Sequence, residues 1–438
     1  MRIEQLDERL VRYVAPNGLR VLTESLPGVR SAAVGLWVRS ASVHEPAHLM
    51  GISHLLEHMV FKGTERRTPR EIALELESRG GSLDAFTSRD HTAFQAHVLD
   101  ADLPVAIEVI TDLVRRPLLR QSDLELERNV ILEEISSVHD APDDVVFELH
   151  ARALWPSHPY GYSILGTAET VQSITVDDLR ATHAAGYYPG NCIITAAGNL
   201  APDQLLTVLE REGWFEGSEA TPPLPPVPST PAARGERVME PRDSQQCHLV
   251  IGTDTVSSRD PRRYGFALIS TVLGGGMSSR LFQQIREELG LAYAVFSFQQ
   301  FYQTTGVTGV YLGTQAETAA QATDLVLGEC GRLAREGLPA EDLVSAKQQL
   351  KGQIMLSLES PMSRMHRLGG VELARDRYRR LDEILAEIDA VTPDEVRAIG
   401  EEFFHPDRQT IVHLGPFGPR IVRDEPRAAA RSLSSRDA

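Results

Sequence analysis

The 438-residue sequence is short of several features that would have placed it quickly. No apolar run approaches the ~20 residues that a membrane-spanning helix needs, so no span is expected. Three scattered cysteines, Cys192, Cys247 and Cys330, form neither a disulfide framework nor a CxxC metal knuckle. Cys247-His248 lies in an apparent strand, where a buried free thiol is expected. Positive charge is scarce: 44 Lys and Arg against 61 Asp and Glu leave a formal net charge of −17. That argues against a nucleic-acid partner. Acid lining a cavity would favour basic peptides, but it serves equally well as a solubility feature. The opening MRIEQLDERLVRY has acids where a signal peptide would have an apolar stretch, so a cytoplasmic location is expected. Gly274-Gly275-Gly276 is not followed by the Gly-Lys-Ser/Thr of a phosphate loop and reads as a hinge or substrate-guiding loop.

What is present centres on Gly51–Thr64, and within it on His54-Leu-Leu-Glu57-His58. Residues four apart on a helix share a face, so His54 and His58 present two imidazoles to one point. Two neutral imidazoles in that arrangement suit tetrahedral Zn²⁺. From its position Glu57 can take a proton from a metal-bound water without ligating the metal. The order is that of the inverted zincins. Two helix histidines beside an ordinary surface Glu is the plainer reading, and a third ligand downstream decides between them.

Ser122–Val138, SDLELERNVILEEISSV, supplies candidates. Ser122 with Glu125 reads as a capping box that opens a helix. Glu127 and Glu134 lie two turns apart on one face, with Glu133 about 100° away. Such a run is ordinarily a solvated acidic face, but Leu126, Val130 and Ile131 are expected to pack.

HLLEHMVFKGT followed by ERNVILEEI resembles the pitrilysin/insulinase family of zinc peptidases, in its mitochondrial-processing-peptidase-like bacterial branch. The resemblance runs over essentially the whole chain. It implies one Zn²⁺ per chain held by His54, His58 and Glu134, with Glu57 as base and Glu127 orienting a ligating histidine. It also implies that the segment around Ala85 and Phe86 is an edge strand pairing with substrate backbone. Asp84 stands where the family usually has Asn. Phe61 matches a position in the pocket just after the scissile bond. Arg286 and Tyr293 fit an Arg–Tyr pair, seven residues apart, that reaches the substrate carbonyls. The implied function is a zinc endopeptidase acting on short or unfolded polypeptides, as a homodimer or as a heterodimer with an inactive homologue. The rival is a non-catalytic or partner-dependent subunit or scaffold. A purely structural zinc module would have no need of Glu57.

The organisation follows from turn chemistry and repetition. Pro16-Asn17-Gly18 predicts a type I′ hairpin turn. Thr68-Pro69 opens a helix that Gly80-Gly81 ends. Leu103–Arg115 reads as helix and Ser82–Val98 as two adjacent strands, with His91 and His97 on the strand surface. Thr175-Val-Asp-Asp-Leu-Arg180 recurs as Thr392-Pro-Asp-Glu-Val-Arg397, offset by 217. The same offset relates Pro189 to Pro406, Ile194 to Ile411 and Gly198 to Gly415, which points to an internal duplication. Gln353 lies near the equivalent of Glu134, so only the first half holds metal. The expected fold is α+β: two homologous halves, each a mostly antiparallel sheet with helices on one face, facing each other around a chamber. The expected divisions are 1–217, a Pro-rich linker 218–237, 238–423 and a disordered tail 424–438.

Overall fold

A computed structural model describes residues 1–217, 226–374 and 377–416. The first sheet comprises β1 (Arg2–Asp7), β2 (Leu10–Val14), β3 (Arg20–Ser25), β4 (Ser31–Val38), β5 (Ser82–Thr87), β6 (Thr92–Leu99) and β7 (Cys192–Gly198). Its order is β1-β2-β3-β7-β4-β6-β5. The second comprises β8 (Arg237–Pro241), β9 (Cys247–Thr255), β10 (Ala292–Phe301), β11 (Gly306–Thr314) and β12 (Thr410–Gly415), in the order β10-β11-β9-β12-β8. Only β3–β7 and β8–β12 pair in parallel. The α+β fold with two largely antiparallel sheets is as the sequence predicts.

The helices of the first half are α1 (Ile52–Val60), α2 (Pro69–Glu77), α3 (Leu103–Arg115), α4 (Gln121–His139), α5 (Pro142–Leu154), α6 (Ala168–Ser173), α7 (Val176–Gly186) and α8 (Pro202–Arg211). Those of the second are α9 (Arg263–Gly274), α10 (Ala319–Glu336), α11 (Ala340–Ser357), α12 (Pro361–Leu373), α13 (Leu381–Ala390) and α14 (Pro393–Phe403). The repeat read from the sequence takes physical form here. Thr175 and Thr392 cap α7 and α14 with matching capping boxes through Asp178 and Glu395. Gly198 and Gly415 end β7 and β12 at φ +133° and +143°. A Cβ would lie 2.4 Å from Ser31 O at Gly198 and 2.6 Å from Gln246 O at Gly415, so glycine is required at both.

One face of the first sheet packs against α1, α3, α7 and α8 through Leu36, Phe94, Leu55, Ile110, Leu179 and Leu209. Its other face is covered by α12 from the second half, whose Met365 and Leu368 sit on Leu22, Trp37 and Ile193. The fully buried Glu372 of α12 pairs with Arg12 and, at 3.0 Å, with Arg20. The second sheet is treated alike. Val146 and Leu149 of α5, from the first half, pack on Val250, Tyr311 and Val412. The two halves therefore exchange one helix each, and both sheets have helix on both faces, not on one as expected, because each half's open face is closed by a helix of the other.

Several local expectations need correction. Gly18 alone has positive φ in the first hairpin turn, so the turn is not type I′. Asn17 instead donates its amide to Trp214 O and Glu216 O, and tertiary bonding decides its conformation. The Ser122–Glu125 box is absent because α4 starts two residues earlier than that box requires, at Gln121, with Arg120 at the N-cap position and no side-chain cap. Ile131 is buried, but Leu126 and Val130 are 69% and 50% exposed, since the packed face runs through Leu124, Glu127 and Ile131. His91 lies before β6 in an aromatic cluster with Trp37 and Phe86, not on the strand surface. Burial, with His366 nearby, pushes it down to about 4. Gly274 approaches β10 so closely that a Cβ would lie 2.3 Å from Ser297 N, which makes it a packing glycine and not a hinge. Linker residues 218–225 and the tail 424–438 lie outside the described residues. Within 226–236, Val227 and Ala233 pack beside Trp155 and Tyr160. All three cysteines are free and buried.

Candidate metal centre

The helix α1 is fixed at its start before it presents anything. Its N-cap Gly51 has φ +92°, and a Cβ there would lie 2.6 Å from Leu165 O. The buried Glu45 carboxylate accepts from Gly51 N and Ser53 N, both at 2.8 Å, and so satisfies amides that the helix leaves free. A negative group there also complements the helix dipole. One turn on, His54 and Glu57 are buried at 8% exposure each. The helix α4 packs alongside and turns Glu127 and Glu134 towards them.

His54 Nε2 and His58 Nε2 each lie 3.7 Å from Glu134 Oε2. One donor atom from each residue falls within 4.8 Å of the others. Zinc bonds of roughly 2.0–2.2 Å at tetrahedral angles put ligand atoms about 3.3–3.5 Å apart, so the trio fits zinc with a small inward movement. Two nitrogens and one carboxylate oxygen, with a fourth position left over, make the donor set of a catalytic site. His58 Nδ1 is 2.9 Å from Glu127 Oε1, which fixes the ring with Nε2 facing the cluster. Lys62 holds the other Glu127 oxygen, its Nζ 2.5 Å from Oε2. Glu57 stands beside the trio, and its Oε2 accepts from Thr87 Oγ1 at 2.7 Å.

The electrostatics follow from this packing. Burial, then the neighbouring His58, pushes the His54 pKa down to about 4, so the ring is neutral at pH 7 and one of its nitrogens carries a free lone pair. Burial disfavours charge on His58 too, but Glu127, Glu57 and Glu134 together outweigh it and raise its pKa. Burial raises Glu57 against the pull of Thr87 and His58. Burial likewise acts upward on Glu127, where the bonds from His58 and Lys62 win and its pKa falls.

The remaining residues singled out from the sequence divide into two groups. Phe61 closes α1 and packs with Leu83, Val105 and Ile72. Ala85 and Phe86 lie on β5, at the edge of the sheet. Side chains alternate along a strand. Thr87 faces Glu57, while Phe86 points the other way, stacked on His366 of α12 with 6.2 Å between ring centres. Arg286 and Tyr293 lie together, and among the described residues their contacts do not include the metal trio. Arg286 sits in a π-helical turn, Phe282–Glu288, with its guanidinium 4.7 Å over the Tyr293 ring, and Tyr293 is 78% exposed. Glu45, Lys62 and Thr87 escaped the sequence reading. Thr87 was accessible to it, lying two residues beyond Ala85 and so on the same face of the strand.

The profile described as "Insulinase (Peptidase family M16)" matches residues 20–168, and "Peptidase M16 inactive domain" matches residues 173–350. The Bacillus subtilis protein named "Uncharacterized zinc protease YmxG" is 38% identical over 396 residues, covering 90% of this chain and 96% of its own length. An uncharacterized zinc protease of Streptomyces coelicolor is 36% identical over 410 residues, 92% of this chain and 89% of its own. Among solved structures, a protease from Helicobacter pylori superposes with TM-score 0.87 at 20% identity, covering 95% of this chain and 99% of that one. A peptidase M16 inactive domain from Pseudomonas fluorescens gives 0.86 at 21% with the same coverage.

Proposed function

Because the chain belongs to the insulinase family of peptidases, family M16, we propose that it is a zinc endopeptidase hydrolysing peptide bonds in short or unfolded polypeptides. The observation that carries this is the convergence of His54, His58 and Glu134 with an independent carboxylate, Glu57, beside them. Zinc, when bound, supplies a Lewis acid and lowers the pKa of a water it holds from 15.7 to about 7. One ion per chain is held by His54, His58 and Glu134, with Glu127 keeping His58 in the required tautomer. Glu57 takes up a proton and later delivers it to the leaving amine. The free edge of β5 aligns an extended substrate along Ala85 and Phe86. Phe61, with Leu83 and Val105 around it, offers an apolar pocket after the scissile bond.

Among the described residues, Arg286 and Tyr293 have their polar and ring contacts with Glu287, Phe282 and each other, and none with the metal trio. That favours their serving the site of a second copy, hence a homodimer closing around a chamber. The same observation favours the second reading, a subunit that is active only with a homologous partner. The match described as inactive lies over residues 173–350, whereas all three proposed ligands precede residue 168. No helix among the described residues is long and apolar enough to cross a membrane, and a cytoplasmic location is part of the proposal.

The test is hydrolysis of a library of internally quenched peptides by wild type and Glu57→Gln, with bound zinc measured in both. Wild type is expected to cleave, and the variant to lose roughly a thousandfold or more while keeping its zinc. Equal cleavage by both would remove Glu57 from the chemistry. Zinc without cleavage by wild type would move the reading to the partner-dependent subunit.

A further inference from the structure

Glu57 has a single side-chain hydrogen-bond partner among the described residues, and that partner belongs to the edge strand. Thr87 is the last residue of β5, and its hydroxyl donates to Glu57 Oε2 at 2.7 Å. The bond engages one carboxylate oxygen and leaves Oε1 for proton transfer. Thr87 is itself held firmly. Its backbone pairs with Thr92, which is fully buried and donates to Ser40 O at 3.1 Å.

Immediately beyond Thr87, the β5–β6 turn is gripped from outside its own sheet. Asp90 accepts from Tyr160 Oη at 2.7 Å and from Gln303 N of the second half at 2.9 Å. Arg89 donates to Tyr162 O at 2.7 Å. Tyr302, beside Gln303, stacks on Tyr160 with 4.6 Å between ring centres. The end of the edge strand is therefore one of the more rigidly defined points near the site, and the base is tied to it by one hydroxyl.

We propose that Thr87 is a positioning residue that ties the Glu57 carboxylate to the edge strand, so that a polypeptide paired along β5 and the base keep one fixed relation. This rests on the endopeptidase reading and deepens it. A group misplaced by about 1 Å costs up to a hundredfold in rate, so one freely rotating carboxylate is a sufficient lesion. Binding of the substrate backbone along β5 does not involve the hydroxyl. Its loss therefore falls on turnover and not on KM.

The experiment compares wild type, Thr87→Val and Thr87→Ser. Valine keeps the shape and removes the hydroxyl, and serine keeps the hydroxyl. Expected is a 10- to 100-fold fall in kcat for valine with KM within about twofold and zinc content unchanged, and recovery to within a few-fold in serine. A valine variant with kcat within twofold of wild type would overturn the proposal, as would a loss that serine does not restore. Crystal structures of wild type and Thr87→Val add a readout independent of turnover. A displaced Glu57 carboxylate in the variant upholds the proposal, and an unmoved one refutes it. If wild type cleaves nothing, the endopeptidase reading fails by itself and the crystallographic comparison still decides the role of Thr87.

Discussion

The two halves of this chain use one plan for two purposes. Both have an interior strand ended by a glycine at positive φ, a Thr-capped helix before it, a parallel strand beside it and an edge hairpin. The first half places two histidines and a glutamate where its helices α1 and α4 meet. In the corresponding part of the second, α9 runs into Gly274-Gly275-Gly276, beside Gln349 of α11. Its helices also bury Leu343 and Ala346 where α4 buries Leu124 and Glu127. A fold of this kind thus carries the site as an attachment: the sheet and caps survive without it, and Glu127 of α4 has no acidic counterpart at Ala346 of α11.

That contrast can be broken deliberately. Glu134→Gln gives the first half the residue type that the second carries at Gln353. It should weaken zinc binding by at least a hundredfold in chelator competition while leaving the circular dichroism spectrum unchanged. Retained affinity would show that Glu134 is not a ligand.

Acid should instead strike both halves together. Burial, mainly, pushes His54 in the first half and His413 in the second down to about 4. It does the same to His150, which α5 carries onto the second sheet. Their folded values lie below the unfolded 6.5, so the unfolded chain binds the extra protons. Stability of the metal-free protein is full above pH 6.5 and is lost as pH falls towards 4. Each group contributes on the order of 1–3 kcal/mol. Urea unfolding at pH 7, 5.5 and 4.5 should show a steadily falling midpoint; a flat profile would mean that these rings are not neutral in the fold.

The smallest effect sharpens the dependence of one half on the other. Leu368→Ala, far from the metal in the sequence, removes a fully buried side chain from α12 where it lies on the first sheet. It should cost about 2–4 kcal/mol in urea unfolding. Both halves should be lost in one transition, as read by tryptophan fluorescence and by far-ultraviolet dichroism. Two separate transitions would show that the exchanged helices do not couple them.

Much of the site was legible because its pieces are local. His54 and His58 are related by one turn of helix, Glu127 and Glu134 by two, and the family pattern joins the two pairs. The α3 boundaries and the paired strands β5 and β6 were likewise carried by periodicity and turn residues. Strand alternation put Thr87 on the face of Ala85 without saying what it meets, and Lys62 was not legible at all, because a lysine after a helix is ordinary. Their meaning comes from Glu57 and Glu127, 30 and 65 residues away in the chain. The helix exchange was invisible for a similar reason. The pattern of Met365 and Leu368 says that α12 buries a face, not whose sheet receives it. Leu126 and Val130 were misjudged because apolar character alone does not say which side of α4 is packed.

The exchanged helix also sets a timetable for synthesis. The first sheet is complete in the chain by Gly198, yet the face bearing Leu22, Trp37 and Ile193 has no cover until Leu373 has been made. At 5–20 residues per second, that interval is roughly 10–35 s. Throughout it the nascent first half carries an apolar face, with Leu22, Trp37 and Ile193 on it, that its own later residues have yet to cover.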